Sequence, residues 1–426
     1  VEDFKTKKYY WIRITLFVLT VVTTTLAGAE WINGSTFMPI IPDPMGWEEF
    51  LSGFRFSIPF LLILTAHEFG HYFTAIKNNV SVTLPAYLPF WLGFVFGLPS
   101  IGTFGAFIQL RSKNISKVQH FDIGIAGPLA GFVVAIVVLL IGYTNLPPKE
   151  SVFDIHPEYE YFGSEFENYV YTTDSIVHND AFKAVTGKEL KYDSAVFDTS
   201  YPKLAMGKNL IMVFMEAYVV QDKSRIPNDF EIFHNPWLFA GYLALLFTAL
   251  NLLPIGQLDG GHILYGLVGH TWHKRVASVL FVGFVFYAGM GVVSLALPFD
   301  SFLLYSAIYI WLLKVIFNGL KIGQKDTWLV AVSVYAVQFG FGYFMGPIEG
   351  YSGWLLFAFI IGKFIGVEHP KGNKAKTVRV LTEDGVVLVE EKEKEEPALD
   401  LNRKILGWLA LVILILCFTP APLSYI

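Results

Sequence analysis

The chain has 426 residues, 54% of them hydrophobic, 16% aromatic and 16% charged, a balance too apolar for an ordinary soluble domain and suited to a bilayer. A formal net charge of -5 argues against a nucleic-acid partner. The single cysteine, Cys417, excludes an intrachain disulfide framework and a cysteine metal cluster, so a metal would have to be held by His, Asp or Glu.

A helix needs about 20 mostly apolar residues to cross a bilayer. Nine segments come near that length: 12–29, 52–72, 121–143, 237–254, 276–297, 302–318, 328–345, 352–366 and 405–419. The first follows Lys5, Lys7 and Lys8 with no small-residue cleavage site after it, so it reads as a signal anchor; Val1 in place of an initiator methionine points to truncation. Lys and Arg concentrate in cytoplasmic loops. That rule predicts a cytoplasmic N-terminus, and alternation then puts Arg111, Lys113 and Lys117, Lys274 and Arg275, Lys321 and Lys325, and Lys371, Lys374 and Arg379 inside, with the C-terminal tail outside. Asn33-Gly34-Ser35, in the first outer loop, fits a glycosylation acceptor, a pattern so short that it is mostly coincidence.

The second span carries His67-Glu68-Phe69-Gly70-His71 at its inner end. The i, i+4 spacing puts both imidazoles on one helical face, where they can hold one metal ion while Glu68 serves as general base. Ionisable residues inside a membrane are costly and usually functional, which favours this reading over chance.

Residues 83–110 are apolar but broken by Pro85, Pro89, Pro99 and several glycines, which predicts a re-entrant hairpin lining a cavity. At the entry to the third span, His120 and Asp122 read as interfacial anchors. Gly127-Pro128, with Ala126 and Ala130, reads as a close helix-packing surface. Residues 146–235 hold 15 Asp and Glu against 8 Lys and Arg and form a polar insert on the outer side, with no repeat and no recognisable fold.

The span 237–254 runs in the same direction as the His67 helix and ends in Asn251-Leu252-Leu253-Pro254-Ile255-Gly256-Gln257-Leu258-Asp259-Gly260-Gly261-His262. Zinc catalytic sites usually have three protein ligands and an open position. Asp259 is the best third ligand, turned inward by a helix break at Pro254 and Gly256. Asp-Gly-Gly alone would more often be a polar turn, and His262 reads as a polar turn or cap before it reads as a residue steadying a ligand. In the charged loop 369–404, Val378 and Val380, then Val387 and Val389, alternate about Asp384-Gly385 and predict a small β-hairpin.

HEFGH in one span, NLLPIGQLDGGH in a later one and FDIGIAGPLAG between them resemble the site-2 protease family of intramembrane metalloproteases, and the stretch from His234 to His262 is most similar to its bacterial and plastid branch. The resemblance covers 52–143 and 235–270. It implies that His67, His71 and Asp259 bind one zinc ion per chain, that Glu68 is the catalytic base, and that Asn251 holds substrate backbone or the oxyanion. It also implies a substrate-binding edge at Gly102–Phe107, for which a Gly-rich packing turn is an equal alternative. No glycine-loop pattern of a peptide-binding PDZ domain is present.

The expectation is an all-α polytopic membrane protein of about nine transmembrane helices, with a re-entrant hairpin and a small polar extramembrane insert. Its parts are an N-terminal span and outer loop (1–50), the two halves of the protease core (51–145 and 236–275), the acidic insert (146–235), additional spans (276–368), a charged cytoplasmic loop (369–404) and the last span and tail (405–426). The partners expected are a membrane-protein substrate helix and the lipid bilayer, the site lies near the cytoplasmic side, and the membrane is a bacterial inner membrane; oligomeric state is left open. Two rivals remain: a polytopic metal transporter, against which Glu68 between the histidines argues, and a non-catalytic membrane chaperone, which would have lost a ligand or Glu68.

Overall fold

In the computed structural model the described residues are 2–37, 45–93, 100–112, 115–171, 204–293, 297–346, 348–370, 377–382, 385–390 and 398–425. They are mostly helical. The helices are α1 (Glu2–Asn33), α2 (Trp47–Ser52), α3 (Phe54–Lys77), α4 (Lys117–Thr144), α5 (Glu167–Val170), α6 (Leu210–Tyr218), α7 (Pro236–Leu252), α8 (Asp259–Ala288), α9 (Phe299–Phe317), α10 (Gln324–Met345), α11 (Trp354–Ile360) and α12 (Leu401–Cys417). The strands are β1 (Ala86–Pro89), β2 (Thr103–Phe107), β3 (Leu204–Met206), β4 (Thr377–Thr382), β5 (Gly385–Glu390) and β6 (Leu423–Tyr425).

Among the described residues, five helical stretches are both long enough and apolar enough to cross a membrane: Lys8–Asn33, Trp47–Lys77, Lys117–Thr144, Phe299–Leu320 and Gln324–Met345. The protein is therefore an integral membrane protein. Pro236–Leu252 and Trp354–Ile365 are apolar but shorter. The expected span at 276–297 is the second half of α8, which begins at Asp259, breaks at Gly269 (φ 78°, ψ 174°) and stops at Ala288, before Gly289. Helix ends follow local capping more than hydropathy. Ser116 accepts the Gln119 N–H, and the Gln119 side chain accepts the Ser116 N–H, which starts α4 four residues before the apolar run.

Residues 83–110 do fold back on themselves. β1 and β2 pair antiparallel, Ala86 opposite Phe107 and Tyr87 opposite Ala106, with an irregularity between Tyr87 and Pro89. The tip at 94–99 lies outside the described residues. Helix α1 satisfies backbone groups of this hairpin: the Tyr9 hydroxyl accepts from the Leu84 N–H (2.8 Å), Thr23 donates to the Gly102 carbonyl (2.7 Å), and the Trp31 indole donates to the Ser100 carbonyl (3.1 Å). Backbone groups left unpaired at the ends of a short hairpin need such partners.

In the polar insert, residues 172–203 lie outside the described residues. The remainder is short helical turns, α5, α6 and β3, which pairs with β6 from the chain's end. The expected hairpin in the charged loop is present, with Val378 opposite Val389 and Val380 opposite Val387; Asp384 lies outside the described residues. The two largest apolar clusters among the described residues hold most of the helices together. One joins α3, α4, α7 and α12 through Phe56, Phe60, Leu139, Phe239 and Ile413; the other joins α8 to α11 through Phe281, Leu313, Ala331 and Ala358.

Candidate metal centre

Helix α3 runs through the HEFGH motif and on to Lys77, so the motif sits within the helix and not at its end. One helical turn separates His67 from His71, and their Nε2 atoms lie 3.1 Å apart. Asp259 reaches them from the first turn of α8: its Oδ2 is 3.5 Å from His67 Nε2 and 3.3 Å from His71 Nε2. Leu258, in extended backbone (φ -63°, ψ 161°), starts α8 at Asp259, so the carboxylate is set by a helix start where the sequence suggested a turn. A Cβ on Gly260 would stand 1.9 Å from the Leu252 carbonyl oxygen, which is why the end of α7 and the start of α8 can approach so closely.

These three atoms suit a divalent ion. A tetrahedral ion with bonds of about 2.0–2.1 Å holds its ligand atoms about 3.3 Å apart. The His71 Nδ1 lies 2.7 Å from the Ile123 carbonyl of α4, an oxygen that can only accept, so Nδ1 carries the proton and Nε2 presents its lone pair to the cluster. Helix α4 also leaves room for the rings. A Cβ on Gly127 would fall 2.1 Å from His71 Nε2, and one on Gly131 would fall 3.1 Å from the His67 Cβ.

Glu68, only 5% exposed, faces a cavity of about 270 Å³ whose wall includes His67, Thr103, Gly105, Thr248 and Asn251. Asn251 comes from the last turn of α7, so His67, Glu68 and Asn251 border one space. Strand β2 forms another wall. At its centre Gly105 has φ +97°, a conformation that side chains rarely adopt, and nothing lies within 4 Å of where its Cβ would be.

Residues given minor roles lie elsewhere. His262 Nδ1 is 2.8 Å from His369 Nε2, and its ring stacks on that of His120, so it belongs to a separate histidine group. Burial holds the His369 imidazole below its usual pKa. Asp122 takes a two-pronged contact from Arg403 of α12, at 2.7 and 2.8 Å. The Ile123 carbonyl carries no side-chain signal at all. Gly127, read as a packing residue, packs against a candidate ligand.

The sequence profile of peptidase family M50 matches residues 55–295, more than half of the chain. Among curated proteins, the probable zinc metalloprotease EGY2, chloroplastic, of Oryza sativa subsp. indica is 23% identical over 252 residues, 59% of this chain and 34% of that protein. The Arabidopsis thaliana protein of the same name is 23% identical over 224 residues, 52% of this chain and 30% of its own length. The probable zinc metalloprotease EGY1, chloroplastic, of Oryza sativa subsp. japonica is 26% identical over 209 residues, 49% and 27% of the two chains. The chain thus spans about a third of the length of the curated relatives it matches. No solved structure matches it.

Proposed function

The chain belongs to peptidase family M50, and from that premise we propose that it is a zinc metalloendopeptidase of the site-2 protease type, hydrolysing peptide bonds within or near the transmembrane segments of other membrane proteins. The observation that carries this reading is the convergence of His67 Nε2, His71 Nε2 and Asp259 Oδ2 within 3.5 Å of one another, with His67 also lining the cavity that Glu68 and Asn251 line.

A zinc ion held by these three residues supplies a Lewis acid that lowers the pKa of water to about 7, so that a nucleophile exists at neutral pH. His71, its Nδ1 proton fixed on the Ile123 carbonyl, keeps its lone pair on the site. Glu68 takes the proton of the attacking water and delivers it to the leaving amine, so that one carboxylate serves both halves of the hydrolysis. The Asn251 amide donates to the carbonyl oxygen as charge builds on it. Strand β2, beside Glu68, offers an edge to an extended substrate; pairing there satisfies the amides that a substrate helix exposes when it unwinds in the membrane.

In this reading nine spans cross the membrane, 83–110 is re-entrant, and residues 51–145 and 236–275 are the two halves of the core. The N-terminus is cytoplasmic, the site lies near the cytoplasmic side, and the insert at 146–235 and the loop at 369–404 face opposite sides. The membrane proposed is a bacterial inner membrane; the named relatives are chloroplastic.

The test is zinc content together with cleavage of transmembrane peptides co-reconstituted with the purified full chain. Glu68→Gln is expected to keep the wild-type zinc content and to lose activity by at least about 100-fold, while Asp259→Ala loses one zinc per chain. A fully active Glu68→Gln protein overturns the mechanism. A folded wild type that takes up no zinc at His67, His71 and Asp259 returns the reading to a non-catalytic chaperone.

A further inference from the structure

Two other groups of ligating side chains lie among the described residues. In the first, His120, His262 and His369, the rings of His120 and His262 stack nearly parallel (14°) at 5.0 Å, so that their in-plane lone pairs lie in separate planes and do not point at one position. His262 and His369 are joined at 2.8 Å, the length of an ordinary hydrogen bond. That group carries nothing further.

The second group is built differently. Glu231 and His234 sit at the end of the insert, on the turn that leads into α7, and His156 comes from near its start, 78 residues before His234 in sequence. His156 Nε2 lies 3.3 Å from His234 Nε2, and Glu231 Oε2 lies 3.5 Å from His234 Nε2. These two separations match those of His71 Nε2 from His67 Nε2 and from Asp259 Oδ2 to within a few tenths of an ångström, and the ligand atoms of all three residues lie within 4.8 Å of one another. The imidazoles of His156 and His234 meet edge-on at 71°, as those of His67 and His71 do at 76°.

The supporting contacts match as well. His234 Nδ1 is 2.7 Å from the Ile32 carbonyl at the end of α1, so the proton sits on Nδ1 and Nε2 presents its lone pair, the same arrangement that Ile123 imposes on His71. The second oxygen of Glu231, Oε1, accepts from the Tyr171 hydroxyl at 2.7 Å, which leaves Oε2 toward the histidines. The side chains of His234 and Glu231 are 5% and 9% exposed, and both border a cavity of about 710 Å³ that also touches Tyr171.

We infer that His156, Glu231 and His234 bind a second divalent transition-metal ion, of the zinc type that an N2O donor set suits. The two sites sit at opposite ends of α7, a helix of 17 residues and hence about 25 Å long. The outer ion ties the insert, through His156, to the end of α1 and the start of α7. It has no part in the hydrolysis and does not depend on that reading.

The test is a metal count on the purified full chain in detergent, stripped with chelator, saturated with zinc chloride and desalted. Two zinc ions per chain are expected in the wild type, one in His156→Ala, one in Glu231→Gln, one in His71→Ala and none in the His71→Ala/His156→Ala double variant. X-ray absorption on His71→Ala, whose remaining zinc is the outer one, is expected to give two imidazoles and oxygen. A wild-type count of zero, or a count of one that His156→Ala leaves unchanged, overturns the inference. Loss of the second zinc in His120→Ala with retention in His156→Ala also overturns it, as does a three-imidazole spectrum in His71→Ala. If Asp259→Ala fails to lower the count while His156→Ala lowers it, the hydrolytic reading fails and this one stands.

Discussion

Helices α4 and α10 are both apolar stretches long enough to span a membrane, yet half of the most apolar window of α4 is buried within the protein and only 17% of that of α10. α4 supplies the Ile123 carbonyl to His71, clearance for both imidazoles at Gly127 and Gly131, and Asp122 to Arg403. α10 touches the rest mainly on one side, through Tyr335 to Ser306 and Gln338 to Tyr309 of α9, and turns Leu329, Val337 and Phe344 outward. In a bilayer, apolar surface costs nothing on the outside, so hydropathy does not separate a lipid-facing helix from a central one. Small residues and paired polar groups do.

The largest effect expected from this contrast is at glycine. In Gly127→Leu the new side chain must occupy the place of the His71 ring, so zinc at the inner site and cleavage are both expected to be lost, although residue 127 is no ligand. Gly340→Leu, on α10, meets nothing within 4 Å of its Cβ and is expected to keep both. Metal analysis and cleavage of the two variants side by side decide it. A Gly127→Leu protein with unchanged zinc and turnover would mean that α4 can yield, and the contrast with α10 would collapse.

A smaller effect is expected at the ion pair. Arg403 and Asp122 have side-chain exposures of 35% and 16% and a two-pronged geometry, which joins α4 to α12. Asp122→Asn removes the charge and one acceptor, and should cost about 1–2 kcal/mol, between the values for exposed and buried pairs. Asp326→Asn, at the exposed start of α10, should cost less than about 0.5 kcal/mol. Thermal unfolding in detergent compares them, and equal midpoints would remove the ion pair from the account of how α12 is held.

The parts of this molecule legible in its sequence are those where chemistry is repeated at a fixed helical spacing. His67 and His71 are readable as a pair because four residues bring them to one face, and Asp259 because a Gly- and Pro-rich break follows a span running the same way. What stayed hidden is backbone and long-range. No side chain announces the Ile123 carbonyl, and Asp259 proved to open a helix because of the backbone angles at Leu258. α8 reaches back across Gly269 to Asp259, so an apolar run at 276–297 located only its second half. His156 meets His234 only through the fold of the insert; the i, i+3 spacing of Glu231 and His234 was the sole local trace of that group.

The most discriminating comparison uses one residue type in both helices. Leu139 of α4 is fully buried and packs against the backbone of α7, where a Cβ on Gly241 would come within 2.5 Å of its Cγ. Leu329 of α10 is 66% exposed. Leu139→Ala leaves a cavity among fixed neighbours and is expected to cost about 2–5 kcal/mol. Leu329→Ala is expected to change stability by less than about 0.5 kcal/mol, because the space it leaves is filled by mobile lipid or detergent. Thermal midpoints of the two variants in the same micelle test this directly. If Leu329→Ala proves as damaging as Leu139→Ala, the outward face of α10 is covered by protein in solution, and a second copy of the chain is the first occupant to look for by measuring the mass of the micelle complex.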